Sequence, residues 1–63
     1  MPFIWVLLDA AGNEMRSTDE FAGKDEAEAW MGREWESLLS EGAEHVSLRE
    51  DGQQHYRMGL REA

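Results

Sequence analysis

Two histidines, a serine close to them in sequence and fourteen Asp and Glu residues are what this chain has for chemistry. His45 and His55 lie on two segments that alternate polar and apolar residues, so both are expected on one open sheet face, near each other. A site of two histidines and one carboxylate needs three convergent ligands, and the spacing supplies no third. The simpler role is a pair of solvated or interfacial histidines, whose charge changes near pH ~6.5 and so can modulate a contact. Metal binding through His45 and His55 therefore ranks third among the functions considered, and no metal or other cofactor is expected. Ser47 would face His55 in the preferred strand register, a superficial nucleophile–base pair. An open strand face gives it neither an oxyanion hole nor a third group to orient the imidazole. The carboxylates do not make a glycosidase pair, because a sheet with one helix has no cleft to flank a sugar ring or to raise an acid's pKa by burial. The six glycines are scattered and form no phosphate loop. These residues point away from catalysis.

Charge narrows the partners. Six Lys and Arg against fourteen acids give a formal net charge of −8. The basic residues (Arg16, Lys24, Arg33, Arg49, Arg57, Arg61) are dispersed, so a phosphate backbone or an anionic membrane would be repelled. A basic protein surface would be attracted, and its encounter with this chain accelerated. The longest apolar run, Phe3 to Leu8, is too short to cross a membrane and lacks a basic flank. With no cysteine, neither a disulfide framework nor a thiolate metal site holds the fold, and the expected compartment is the cytoplasm. Sixty-three residues make one small domain, 1–63, with three Trp, two Phe, one Tyr and four Met available for a core. A chain of this size buries only about 60 % of its unfolded surface.

The elements follow from the pattern. Phe3-Ile4-Trp5-Val6-Leu7-Leu8 is consecutive, apolar and partly β-branched, which suits a strand buried on both faces. Asp9 to Asn13 supplies a turn, and Glu14-Met15-Arg16-Ser17 returns antiparallel. Ser17 to Gly23 crosses to a helix, with Phe21 tucked beneath it. That helix is predicted from Lys24 to Glu41, capped by Asp25 with Glu28 or by Gly23 with Glu26, and stopped by Gly42. Ala27, Met31, Trp35, Leu38 and Leu39 share a stripe about 120° wide, and Trp30 sits at its margin. Gly32 stands mid-helix, where it costs about 1 kcal/mol relative to Ala. Glu44 to Arg49 and His55 to Leu60 form a second hairpin about Glu50-Asp51-Gly52-Gln53. A two-residue Asp51-Gly52 turn would set Leu48 opposite His55 and Val46 opposite Arg57, mixing apolar and charged side chains. A three-residue loop with Gly52 left-handed sets Val46 opposite Tyr56, Glu44 opposite Met58 and Leu48 opposite Gln54, and is preferred.

The sum is an α+β fold, β-β-α-β-β, with a four-stranded antiparallel sheet and one helix packed on one face. A first strand apolar on both faces then leaves hydrophobic surface uncovered, and such surface marks an interface. The residues expected there are Trp5, Val6, Leu8, His45, His55 and Arg57, with Trp30 as a separate aromatic anchor on the helix margin.

Asp9-x-x-Gly12, Phe21, Ala27-Glu28-Ala29-Trp30 with Trp35 and Leu38-Leu39, Gly42, Val46-Ser47-Leu48, Asp51-Gly52, Tyr56 and Met58-Gly59-Leu60 form a pattern along nearly the whole chain. It resembles small acidic uncharacterised proteins of actinobacteria, which carry no assigned activity. A fainter likeness is to the MbtH-like adaptors, acidic proteins that bind adenylation domains of peptide synthetases through Trp-rich surfaces. The opening strand Phe3 to Leu8 and a helix bearing Trp35 are the comparable features. The Trp-Pro motif and the Pro-x-Gly-Trp stretch of that family are missing, and two strands follow the helix instead.

The expected function is that of a non-enzymatic interaction module using its open sheet face or an edge strand to bind itself, as a homodimer, or another protein. The alternative is an acidic adaptor or nucleic-acid mimic docking on a basic protein surface. On the open-face reading, Glu in place of Val6 or Trp5 would abolish association and leave the chain folded.

Overall fold

The computed structural model describes residues 2–62. Strand β1 (Phe3–Leu8) and β2 (Glu14–Ser17) form the first hairpin, and helix α1 (Lys24–Glu41) follows. Strands β3 (His45–Glu50) and β4 (Gln53–Gly59) form the second, and Leu60–Glu62 is a short 3-10 turn, η1. The sheet is antiparallel in the order β2-β1-β3-β4, so the two hairpins join through β1 and β3. This is the expected α+β fold. No described helix is long and apolar enough to cross a membrane.

Odd-numbered residues of β1 face the helix. Trp5 and Leu7 are fully buried there with Val46, Leu48, Ala27 and Leu38, and Met31 closes over them. The Trp5 indole N–H donates to the Ala27 carbonyl at 2.8 Å, which fastens the helix to the central strand. The outer margin of β1 is tied down as well. Thr18 N–H donates to the Trp5 carbonyl at 2.9 Å, and Phe3 and Phe21 exchange backbone bonds of 2.8 and 2.7 Å. Gly23 is the N-cap residue with no side-chain cap, and Glu26 Oε2 accepts from the Ala22 N–H at 3.4 Å instead of the Gly23 N–H that the Gly23–Glu26 alternative would use. It ends at Gly42, whose φ of 107° is the left-handed conformation that lets Gly42 N–H reach Leu39 O and Ala43 N–H reach Leu38 O.

The second hairpin corrects the expected register. The turn is the two-residue one: Asp51 (φ 53°) and Gly52 (φ 85°) both have positive φ, as a type I′ turn requires. Glu50 pairs with Gln53 and Arg49 with Gln54, and then a β-bulge at His55 shifts the ladder so that Leu48 pairs with Tyr56 and Val46 with Met58. One extra residue restores the parity that the tight turn alone would have spoiled. The apolar face is therefore as expected, but the pairings of Val46 with Tyr56 and of Leu48 with Gln54 are not formed. Ser47 faces Arg57, not His55.

The uncovered apolar face is also corrected. Trp5 is core, with no exposed surface, and Val6 and Leu8, which do point away from the helix, are only 4 % exposed. Long polar side chains cover them. Ser47 donates to Gln54 Oε1 at 2.7 Å, Arg49 Nε donates to Ser47 Oγ at 3.4 Å, and the Arg49 guanidinium reaches Glu14 on β2 at 3.1 Å. Arg57 starts on β4, yet a β-carbon at Gly12 in the β1–β2 turn would stand 3.8 Å from its guanidinium. Its stem thus crosses the face from one hairpin to the other, as arginine stems do over apolar surface. Glu at Val6 or Trp5 would bury a carboxylate and unfold the chain instead of dissociating a folded one. Replacing Trp5 by Phe removes the indole donor and part of the packed volume, with an expected loss of about 1–3 kcal/mol in urea denaturation. A loss below about 0.5 kcal/mol, within the range of neutral surface changes, would show that the Trp5–Ala27 bond does not hold the helix in place.

Candidate functional site

The sequence-predicted chemistry does not assemble. His45 pairs with Leu8 on the face away from the helix. His55, displaced by the bulge, stacks on Phe3 with ring centroids 5.3 Å apart and meets Glu50 Oε1 at 2.9 Å on the helix side. The two histidines thus lie on opposite faces and toward opposite ends of β1, a span on the order of 16 Å along the strand. They share neither a metal site nor an interface patch. Among the described residues no three His or carboxylate side chains converge as ligands. Ser47 is buried and engaged by Gln54 and Arg49, so it has no free hydroxyl to activate. Trp30 is half-buried against Phe21, centroids 5.6 Å apart, and the two rings line a polar opening of about 350 Å³ with Arg16, Thr18 and Asp19 on the β2 side of the helix.

The opposite side of the helix is open. There α1 and β4 diverge around an apolar groove of about 300 Å³. Trp5 and Met31 form its floor, Trp35 stands on the helix bank, and Tyr56 and Met58 stand on the strand bank. Glu28 and Gly32 line its helical rim. These residues come together because β4 bears Tyr56 and Met58 two apart on the helix side, while Glu28, Gly32 and Trp35 recur at the spacing of one helix face. At its N-terminal end the groove is bridged. Tyr56 Oη donates to Glu28 Oε2 at 2.9 Å, Lys24 Nζ lies 5.6 Å from the Tyr56 ring centre, and Trp5 meets that ring edge-on at 5.9 Å. Beyond the bridge lies Gly32, where an added β-carbon would meet nothing within 4 Å. Its missing side chain is not required by any neighbour within the chain. The sequence reading assigned Trp35 to the core stripe and noted Gly32 for its cost to the helix. Their adjacency on the helix, beside a Tyr-x-Met strand, was the available signal for the groove.

The second feature is the edge. Among the described residues, β4 has no strand neighbour along its outer side over the seven residues Gln53–Gly59. The tight turn closes on the Glu50–Gln53 pair, and at the other end Leu60 N–H donates to Glu44 O at 2.9 Å. Antiparallel alternation between these points, reset by the bulge, turns the Arg57 amide and carbonyl outward. The other edge strand, β2, has four residues, and its Glu14 and Arg16 are spent in ion pairs with Arg49 and Glu41. Among the described residues no buried side-chain polar atom lacks a partner, so no unpaired group is aimed into the groove.

Comparison with known protein families, with curated proteins and with solved structures found no match to this chain.

Two electrostatic shifts stand out. Arg61, by its hydrogen bond and its charge, holds the Glu44 carboxyl below the usual glutamate value, at the sheet end away from the groove. Burial, followed by the hydrogen bond to Glu28 and its charge, pushes the Tyr56 hydroxyl up to about 12. The folded state therefore holds the phenolic proton more tightly than the unfolded chain, whose value is near 10. That contribution to stability is complete below pH ~10 and is lost as pH rises from there to about 12. Tyr56 is the one tyrosine, so the phenolate absorbance reports it alone. Native protein should titrate well above the free phenol, and Glu28→Gln should lower the midpoint without bringing it to 10, since burial is the larger cause. A native midpoint at 10 would mean that the Tyr56–Glu28 bridge is not closed in solution.

Proposed function

We propose that this chain is a non-enzymatic protein-interaction module whose binding surface is the outer edge of β4 with the groove beside it. The observation that carries the reading is the seven-residue edge left without a strand neighbour next to an apolar opening. An exposed strand edge is a row of unpaired donors and acceptors, and adding a strand there supplies affinity through main-chain bonds. The adjoining groove supplies what main-chain bonds lack, a pocket for a side chain of chosen size. The covered face of Val6 and Leu8 offers neither. The role suits a chain whose histidines and serine are dispersed or already engaged.

Arg57→Pro and Arg57→Ala separate the edge from the side chain. Both remove the guanidinium and its stem, but only proline removes the outward amide. Peptides selected from a random library on the wild-type chain should bind the alanine variant with little change and the proline variant at least about tenfold more weakly. Light scattering over a wide concentration range shows whether a second copy takes the edge, as a mass near twice 7.2 kDa that the proline variant alone loses. Equal binding and equal assembly by the two variants would overturn the edge reading.

A further inference from the structure

We infer that the occupant of this surface is an extended segment of a basic partner protein, paired to β4 and seating one bulky apolar side chain over Gly32. The inference rests on the edge reading above and adds the chemistry of what binds. Three observations carry it. A strand laid on β4 turns every second side chain toward the helix side, where Tyr56 and Met58 already point, so one of them arrives at the mouth of the groove. The opening there is made by Gly32, which the helix would sooner replace and which nothing in the chain requires to be small. The helical rim is acidic: Glu28 lines the groove, Asp25 lies one turn before it, and Glu36 lies one turn beyond Gly32.

Charge selects among occupants. The three arginine–carboxylate pairs of the described residues use Glu14, Glu41 and Glu44, none of which stands on this rim. None of the described residues lining the groove is cationic, and Lys24 is drawn to the Tyr56 ring at the bridged end. A second copy would bring another −8 to the same surface, whereas a Lys- or Arg-bearing strand would be attracted to it. A small polar ligand is disfavoured because no buried polar group among the described residues waits for a bond. The chain of a partner brings its own donors and acceptors to the edge and needs only an apolar anchor.

The test uses the whole chain and three synthetic peptides. The first alternates lysine and threonine about one central leucine, the second replaces lysine by glutamate, and the third replaces the leucine by alanine. Fluorescence anisotropy should show the lysine–leucine peptide binding at least about tenfold more tightly than either other, with the advantage over the glutamate peptide shrinking from about 50 to about 300 mM salt. Gly32→Leu should fill the groove and weaken that peptide by about tenfold or more, while its melting temperature equals or exceeds that of the wild type, because leucine favours the helix. Glu36→Gln should weaken the lysine peptide and leave the alanine-for-leucine difference intact. Equal affinity for the leucine and alanine peptides, equal affinity for the lysine and glutamate peptides, or no binding of the lysine–leucine peptide would each overturn the inference. Binding lost in Arg57→Pro but kept in Gly32→Leu would remove the groove and leave the edge reading standing. Binding lost in Gly32→Leu but kept in Arg57→Pro would remove the edge reading instead.

Discussion

Trp5 places its indole N–H 2.8 Å from the carbonyl of Ala27, and the rest of the fold is arranged around that bond. The donor is on the central strand and the acceptor in the second turn of the helix, so one bond sets both the height and the rotation of α1 over the sheet. With the helix fixed there, Met31 and Leu38 fall onto Leu7, Val46 and Leu48, and none of them retains more than 2 % of its surface. The ring also has no room to tilt, because Tyr56 stands edge-on to it and the Trp5 amide is bonded to Thr18 Oγ1 at 3.0 Å. A chain of 63 residues has an expected stability of only about 3–9 kcal/mol, so a buried tryptophan with a satisfied N–H is a large share of what holds it together.

The elements were legible because each rests on local chemistry. Six apolar residues in a row, an 18-residue helical stripe closed by Gly42, and an Asp-Gly turn between alternating segments specify strands, helix and hairpin without tertiary information. The bulge at His55 was not legible. Parity argued that the apolar residues of β3 and β4 must share a face, and that argument was sound; it chose a longer loop where the molecule inserts a residue inside the strand. Both devices shift the ladder by one, and hydrophobic pattern alone does not distinguish a residue added in the turn from one added after it.

The fate of the face away from the helix teaches a different lesson. Val6 and Leu8 were read as uncovered because a second helix was the only cover considered. Arginines on a sheet face carry three methylenes each, and Arg49 and Arg57 lie across strands with their charges fixed or solvated beyond the apolar patch. Arg49 alone links β3 to β2 across β1, through Ser47 and Glu14. Those two residues were counted as an interfacial cation and a dispersed charge, when their stems are structural. Reading side chains by their charged tips hid where the apolar surface went.

The groove has its origin in the same asymmetry of connections. The segment joining β2 to α1 runs along the free side of β1, where Phe21 pairs with Phe3 and fills the space beneath Trp30. That side of the helix is thereby partly filled, and the opening left there is a polar one lined by Arg16, Thr18 and Asp19. Among the described residues, β4 is followed by η1 alone, at the end where Leu60 bonds back to Glu44. There the helix meets β4 through side chains at Tyr56, which bonds to Glu28 and lies under the Lys24 ammonium. A larger residue at position 32 would have extended that contact and favoured the helix. Glycine there leaves the groove open over Met31 and Met58, so the seven-residue edge of β4 lies beside an apolar opening. Local stability and an open groove make opposite demands on this one position, and the residue present meets the second.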